Sequence, residues 1–252
     1  FRSARTPSNS PMRAAIERSG LDPEEIEECF VGNVVSAGIG QAPARQAALG
    51  AGIPVEVPST TVNNVCGSGL KAIIFAAQAI RAGDGSIYLA AGTESMSNAP
   101  YLLPEARRGL RSGPGELVDA NVKDGLWCAT EDRPMGALAE ATAAQFDLTR
   151  HDLDEYAVES HQRAIAAARS GRFGEEIVPV EIRSERGPNS VVSEDEPPRA
   201  DCTMDSLGRL KPAFQPNGRV TAGNAPGLSG GAAAVVLMER QTAARARRPI
   251  LA

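Results

Sequence analysis

Along the first third of the chain the apolar positions switch between the spacing of helices and the spacing of strands. PMRAAIERSG (11–20) reads as a short helix that Gly20 closes. DPEEIEE (22–28) predicts a second one, with Asp22 as N-cap, Pro23 at the first helical position and acids in the first turn. CFVGNVV (29–35) is an unbroken apolar run of strand length, followed by the helix-like PARQAALGAG (43–52) and a second strand, PSTTVNNV (58–65). Leu70, Ile73, Ile74, Ala77 and Ile80 then fall at helical spacing up to Gly83, and SIYLAAG (86–92) makes a third strand. Strands alternating with helices in this way predict an α/β sandwich around a largely buried sheet.

The pattern breaks near Ser97. From there to about Arg133 the chain is rich in Gly, Pro, Arg and Asp with only short apolar runs, too long a stretch for an ordinary loop. A long helix is predicted over 149–169, with Thr149 and Asp152 as a weak capping box and Gly171 beyond its end. EIVPVEIR (176–183) reads as a strand and SERGPNSVVSEDEPPRAD (184–201) as a polar loop. At SGGAAAVVLMER (229–240) the composition returns to that of a core, so the chain is expected to rejoin the first sheet.

Charge narrows the function classes. With 26 Lys and Arg against 31 Asp and Glu the net charge is −5, which argues against a general nucleic-acid surface. An anionic small ligand remains open if local donors and helix N-termini hold it. At 42% hydrophobic residues, with no apolar run near 18 residues, the chain reads as soluble and globular, with no membrane partner expected. Cys29, Cys66, Cys128 and Cys202 are far apart and show no paired spacing, so neither a disulfide framework nor a metal site is expected, and a reducing, cytoplasmic compartment is.

The sharpest local feature is VNNVCGSGL (62–70), which sets Cys66 where a strand turns into a helix. A thiol just before a helix N-terminus meets unpaired N–H groups and a dipole that favour the thiolate. Gly67 and Gly69 allow close backbone approach. The alternative is a packed structural thiol, the fate of most free cysteines. A nucleophile also needs a proton acceptor, and the only histidines, His151 and His161, sit among charged residues on the 149–169 helix, where a solvated face is the plainer reading.

Taken as longer strings, NNVCGSGLKAI, AAQAIRAGD and AAGTESMSNAPYLLP resemble the thiolases, the acetyl-CoA C-acyltransferase family. ARTP (4–7), GNVVSAGIGQAPARQAAL (32–49), DGLW (124–127), SHQRAIAA (160–167), RFGEEIVPV (172–180), LGRLKPAF (207–214) and GRVTAGNAPG (218–227) extend the resemblance in family order over nearly the whole chain. The resemblance implies a layered αβαβα sandwich of two similar halves, of which this chain would be the N-terminal half with an inserted loop domain. The corresponding divisions are 1–96 and 229–252 for the core half and 97–228 for a loop domain that binds coenzyme A. Cys66 then matches the nucleophile that accepts the acyl group, and Leu126, Met135, Arg199, Ser206 and Ala222 match positions that line the coenzyme A site. The implied chemistry is Claisen condensation of acetyl-CoA with an acyl-CoA, or the reverse thiolysis, most similar to the short-chain acetoacetyl-CoA type. It requires coenzyme A thioesters as substrates, no tightly bound cofactor, and a homodimer or homotetramer. A non-catalytic acyl-CoA-binding or assembly protein of the same fold is the alternative.

Departures from the family pattern are equally specific. The Gly-His-Pro and Cys-x-Gly motifs that supply the family's base and second cysteine do not occur in this sequence, which ends at RRPILA, about where a C-terminal half is expected to begin. Pro134 stands where a His-Met-Gly histidine is usual, Pro226 where a serine is common, and Gly230 or Gly231 where an Asn-Asp pair is usual.

Overall fold

The computed structural model describes residues 9–182, 188–248 and 250–251, so the ARTP motif at 4–7 lies outside the described residues. In chain order the elements are α1 (Asn9–Ser19), β1 (Glu28–Gly32), α2 (Pro43–Ala51), β2 (Ser59–Val62), α3 (Ser68–Ala82), β3 (Ile87–Glu94), β4 (Tyr101–Leu102) and β5 (Val118–Asp119). They continue with β6 (Trp127–Cys128), β7 (Arg133–Pro134), α4 (Met135–Gln145), α5 (Arg150–Arg169), β8 (Val180–Ile182), β9 (Ser190–Val192), α6 (Met204–Gly208), β10 (Gly231–Met238) and α7 (Arg240–Arg245). Two compact units result: Phe1–Gly125 with Ser229–Ala252, and Leu126–Leu228. Residues 97–125 therefore group with the first unit, whereas the composition break near Ser97 assigns them to the inserted domain. Within this stretch β4 pairs with β5, and the Asn121 side-chain amide bonds to the Met96 carbonyl at 2.9 Å, just beyond the end of β3.

The first unit is built on a four-stranded sheet in the order β10-β3-β1-β2. The strands β1, β2 and β3 are parallel, and β10 runs antiparallel to β3. Alternation along β1 and β3 decides what each face carries. Cys29, Val31, Leu89 and Ala91 point into a core shared with Met12 and Ile16 of α1 and Ala44 and Ala48 of α2. Phe30, Tyr88 and Ala90 point the other way, onto Ala72 and Ala76 of α3. Fully burying each of the larger apolar side chains contributes about 2 kcal/mol, so Met12, Ile26, Val31 and Leu89, all at most 1% exposed, fix this layer.

Several elements are shorter than their sequence patterns suggest, for local reasons. The acidic 22–28 segment makes only a 3-10 turn, Pro23–Glu25: Ile26 is already extended and buried, and it carries the chain into β1. The strand expected over 58–65 stops at Val62, because the side chains of Asn63 and Ser68 take over the backbone bonding. From the 176–183 segment only Val180–Ile182 forms a strand among the described residues, and it pairs with β9 from the stretch read as a polar loop. The long helix appears as expected, its cap complete: Thr149 accepts from the Asp152 amide and Asp152 from the Thr149 amide.

In the second unit, α4 and α5 are accompanied by the β6–β7 and β8–β9 hairpins and the single turn of α6. Its buried apolar residues are few, namely Ala143, Cys202, Leu207 and Val220. Buried polar side chains, Glu140, Asp154 and Thr221, lie as deep as any of them.

Candidate active site

The turn that presents Cys66 is fixed by its neighbours' side chains. Asn63 accepts a hydrogen bond from the Val65 amide at 3.0 Å. Ser68, itself buried, accepts from the Asn64 amide at 2.8 Å and donates to the Val65 carbonyl at 2.5 Å. Val65 is thereby held at φ 51°, a left-handed conformation that β-branched residues resist by about 1–2 kcal/mol. Immediately after it, Cys66 is solvent-exposed. The Gly67 carbonyl accepts from Lys71 at 2.8 Å and starts α3 at Ser68. The packed-thiol alternative describes Cys29 and Cys202, which are buried, and does not describe Cys66.

Glycines let this turn sit close to the sheet. A Cβ on Gly32, the last residue of β1, would lie 2.5 Å from the Ser68 carbonyl carbon and 2.7 Å from the Gly69 nitrogen. One on Gly92, which pairs with Gly32, would lie 3.3 Å from the Gly69 Cα. The strand ends are tied by Glu94, whose carboxylate accepts from the Asn33 side chain at 3.1 Å and the Val34 amide at 3.0 Å. Asn33 also donates to the Thr93 carbonyl and accepts from Ser36 at 2.7 Å. Cys66 therefore stands at the carboxyl ends of parallel strands, the edge at which open α/β sheets bind ligands. Neither Asn33, inside the run read as the first strand, nor Glu94, two residues past the run read as the third, is marked out by the sequence pattern.

The other thiols differ in environment. Burial pushes the Cys29 thiol up to about 12. Burial likewise raises Cys202. Cys128 is shifted down, first by the Thr130 hydroxyl 3.2 Å from its sulfur and then by the backbone N–H groups of Glu131 and Thr130.

The residues expected to line a coenzyme A site all fall within the second unit. Leu126 is half-buried at the end of the π-helical turn Asn121–Leu126. Met135 opens α4, directly after Pro134, which offers no side-chain cap, and Gly136 beside it packs under the ring of Phe214. Ser206 sits on α6, its hydroxyl closing a capping box with Thr203. Ala222 is exposed in the loop before Gly223, and a Cβ on Gly223 would lie 2.5 Å from both Leu207 and Leu210. Arg199 donates its amide to His161 Nδ1 at 3.2 Å and keeps its guanidinium in solvent, loosely paired with Asp201 at 3.5 Å. Thus Met135, Ser206 and Ala222 share one packed framework. Arg199 reaches α5 through its backbone. His151 is exposed, and His161 is half-buried and already bonded, so the latter is more than a solvated side chain.

One surface depression, of about 580 Å³, is lined by Asp152, Glu155 and Glu159 together with Tyr156 and Met204. It contains none of the expected residues, and its acids would repel phosphate. Among the described residues no group of three or more His, Cys, Asp or Glu is placed to hold a metal ion.

An exposed cysteine on a strained strand-to-helix turn, at the carboxyl edge of a three-layer α/β/α unit with a second unit inserted before the last strand, defines an α/β protein with a free thiol at the ligand-binding edge of its sheet. The sequence profile of the thiolase N-terminal domain matches residues 4–241. Acetyl-CoA acetyltransferase of Pseudomonas aeruginosa is 49% identical over 241 residues, covering 96% of this chain and 61% of the relative. That of Cupriavidus necator is 50% identical over 227 residues, 90% of this chain and 58% of the relative. The solved structure of acetyl-CoA acetyltransferase from Syntrophomonas wolfei superposes with a TM-score of 0.93 at 39% identity, over 98% of this chain and 61% of that one. The chain belongs to the thiolase family and has its α/β fold. It spans about three-fifths of the length of these relatives.

Proposed function

We propose that the protein carrying this chain is an acetyl-CoA C-acyltransferase of the short-chain, acetoacetyl-CoA type. The exposed Cys66, clamped on its turn at the carboxyl ends of the parallel strands, is the observation that carries this reading. Relatives at 49% and 50% identity bear the name acetyl-CoA acetyltransferase, which supports the substrate class. The Cys66 thiolate attacks the thioester carbonyl of acetyl-CoA; the new C–S bond forms as coenzyme A leaves as a thiolate and takes up a proton. A second acyl-CoA gives its α-proton to a base. Its carbanion attacks the acetyl carbon and expels the Cys66 thiolate, which releases the 3-ketoacyl-CoA. Dividing the reaction in this way replaces one difficult step with two easier ones.

The base and second cysteine of the family's motifs belong to the part of the relatives that this chain does not span. In the second unit, Arg199 takes the nucleotide end of coenzyme A, its guanidinium being free to leave an exposed pair worth at most about 1 kcal/mol. Leu126, Met135 and Ala222 flank the pantetheine arm, with Ser206 beside them. Prolines at 134 and 226 remove two polar contacts that the family commonly makes to that arm, so affinity for coenzyme A falls below that of relatives that keep them. A homo-oligomer in the cytoplasm completes the reading.

Peptide mapping by mass spectrometry after incubation with acetyl-CoA tests it. Acetyl on Cys66, abolished by Cys66→Ser, is the expected result. Acetyl on Cys128 instead would mean simple exchange with a thiol biased toward ionisation, and no acetyl on Cys66 would leave only the non-catalytic, acyl-CoA-binding alternative.

A further inference from the structure

The deepest side chains of the second unit are polar, and most of their bonds go to one loop. Glu140 of α4 is 2% exposed; its carboxylate accepts from the Arg219 amide at 2.8 Å, the Val220 amide at 2.8 Å and the Gln215 side chain at 3.3 Å. Gly218 leaves the space that this carboxylate fills. Asp154 of α5, also 2% exposed, accepts from Asn224 at 2.8 Å and from Arg150 at 2.7 Å. Asn224 in turn accepts from the Thr221 amide at 2.7 Å and donates to the Arg219 carbonyl at 2.9 Å. Arg150 also donates from Nη2 to the carbonyls of Leu207 and Leu210, at 2.6 and 3.1 Å, which ties the end of α6 to the same group.

Two buried carboxylates are a poor way to stabilise a fold, since apolar packing of equal volume serves as well or better. What they provide is a defined conformation for 215–224, a loop with few apolar anchors of its own. The elements they join are those carrying Met135, Ser206 and Ala222. We propose that Glu140, Asp154 and Asn224 are positioning residues for coenzyme A: through the 215–224 loop they hold Ala222 in register with Met135 on α4 and Ser206 on α6. The inference rests on the reading that these three residues line the coenzyme A site. None of the positioning residues touches the ligand.

The test is titration calorimetry of the purified protein with coenzyme A, combined with amide exchange over 215–224 and the rate of Cys66 alkylation by iodoacetamide. Asn224 is half-buried, so Asn224→Ala is the first variant; Asp154→Ala would strand the Arg150 guanidinium, and Glu140→Gln, which keeps the shape, serves as the second. Asn224→Ala is expected to weaken coenzyme A binding about tenfold, the equivalent of one lost hydrogen bond. Exchange should quicken within 215–224, and the Cys66 alkylation rate should not change. Glu140→Gln should act in the same direction more weakly. Wild-type affinity in both variants, with the loop loosened, overturns the positioning role and leaves the coenzyme A reading intact. Absence of binding by the wild-type protein overturns the coenzyme A reading, and this inference with it.

Discussion

Cys29 and Cys66 are the same side chain put to opposite uses. Cys29 is fully enclosed, facing α1 and α2 from β1, and its thiol is pushed from 9.0 up to about 12 by burial. Below pH 9.0 it is neutral in both folded and unfolded chains and has no effect on the pH dependence of stability. Between 9.0 and about 12 only the unfolded thiol ionises, so unfolding releases a proton and stability falls as pH rises. The expected slope is about 1.4 kcal/mol per pH unit. Denaturant titrations above pH 9.0 should show Cys29→Ala losing stability less steeply than wild type, and parallel curves would refute the assignment. Cys66 was legible because its glycine-flanked string is local. The Asp154–Asn224 contact was not, since its partners are 70 residues apart and neither belongs to a periodic pattern. Arg150 and Asp154 stand four apart on one helix, the spacing of an ion pair, but nothing local in the sequence ties Asn224 to them.

Among the elements, the seating of α3 on the sheet depends on a single missing methyl. Adding one at Gly32 would drive a carbon into the backbone of Ser68 and Gly69, where no flexible side chain can yield. Gly32→Ala is therefore expected to destabilise the first unit by about 1–3 kcal/mol, the usual range for overpacking. Because the displaced turn carries Cys66, its acetylation by acetyl-CoA should also slow. A lowered melting temperature with unchanged acetylation would separate the two effects and refute the link. The sequence made α1, α2, α3 and α5 readable through periodicity and terminal Gly or Thr signals. It left α4 unread: MGALAEATAAQ follows a proline with no capping side chain, and its small residues show little difference between faces. Of the β8–β9 hairpin, β8 lies in the run read as a strand, whereas β9 was hidden, since Ser190–Val192 is exposed throughout and carries no alternation.

At the scale of the whole molecule, the least expected feature is how much of α3 remains uncovered. Val65–Ala82 has a mean hydropathy of 1.2, enough by length and composition to cross a membrane, although no single apolar run is that long. Its inner face packs Ala72 and Ala76 on the sheet, while Leu70 is 64% and Ile74 38% exposed. Contiguous apolar surface of this kind attracts dyes and partners. Leu70→Lys with Ile74→Glu should lower the fluorescence of bound anilinonaphthalene sulfonate and reduce sedimentation-detected association, and no change in either would mean that this face is already covered in solution. The composition changes near Ser97, whereas the two compact units divide at Gly125, so the polar, Gly- and Pro-rich makeup of 97–125 does not follow the boundary of the packing.

The ladder between β3 and β10 pairs Glu94 with Gly231 and Ile87 with Met238, so a strand finished early in synthesis waits for a neighbour made only after the whole inserted unit. At ribosomal speeds the interval is on the order of ten seconds. Throughout it, one edge of IYLAAGTE offers open N–H and C=O groups to any strand that passes. The inserted unit thus sets a clock on the nascent chain, and the longer the insertion, the longer β3 must be kept from the wrong partner.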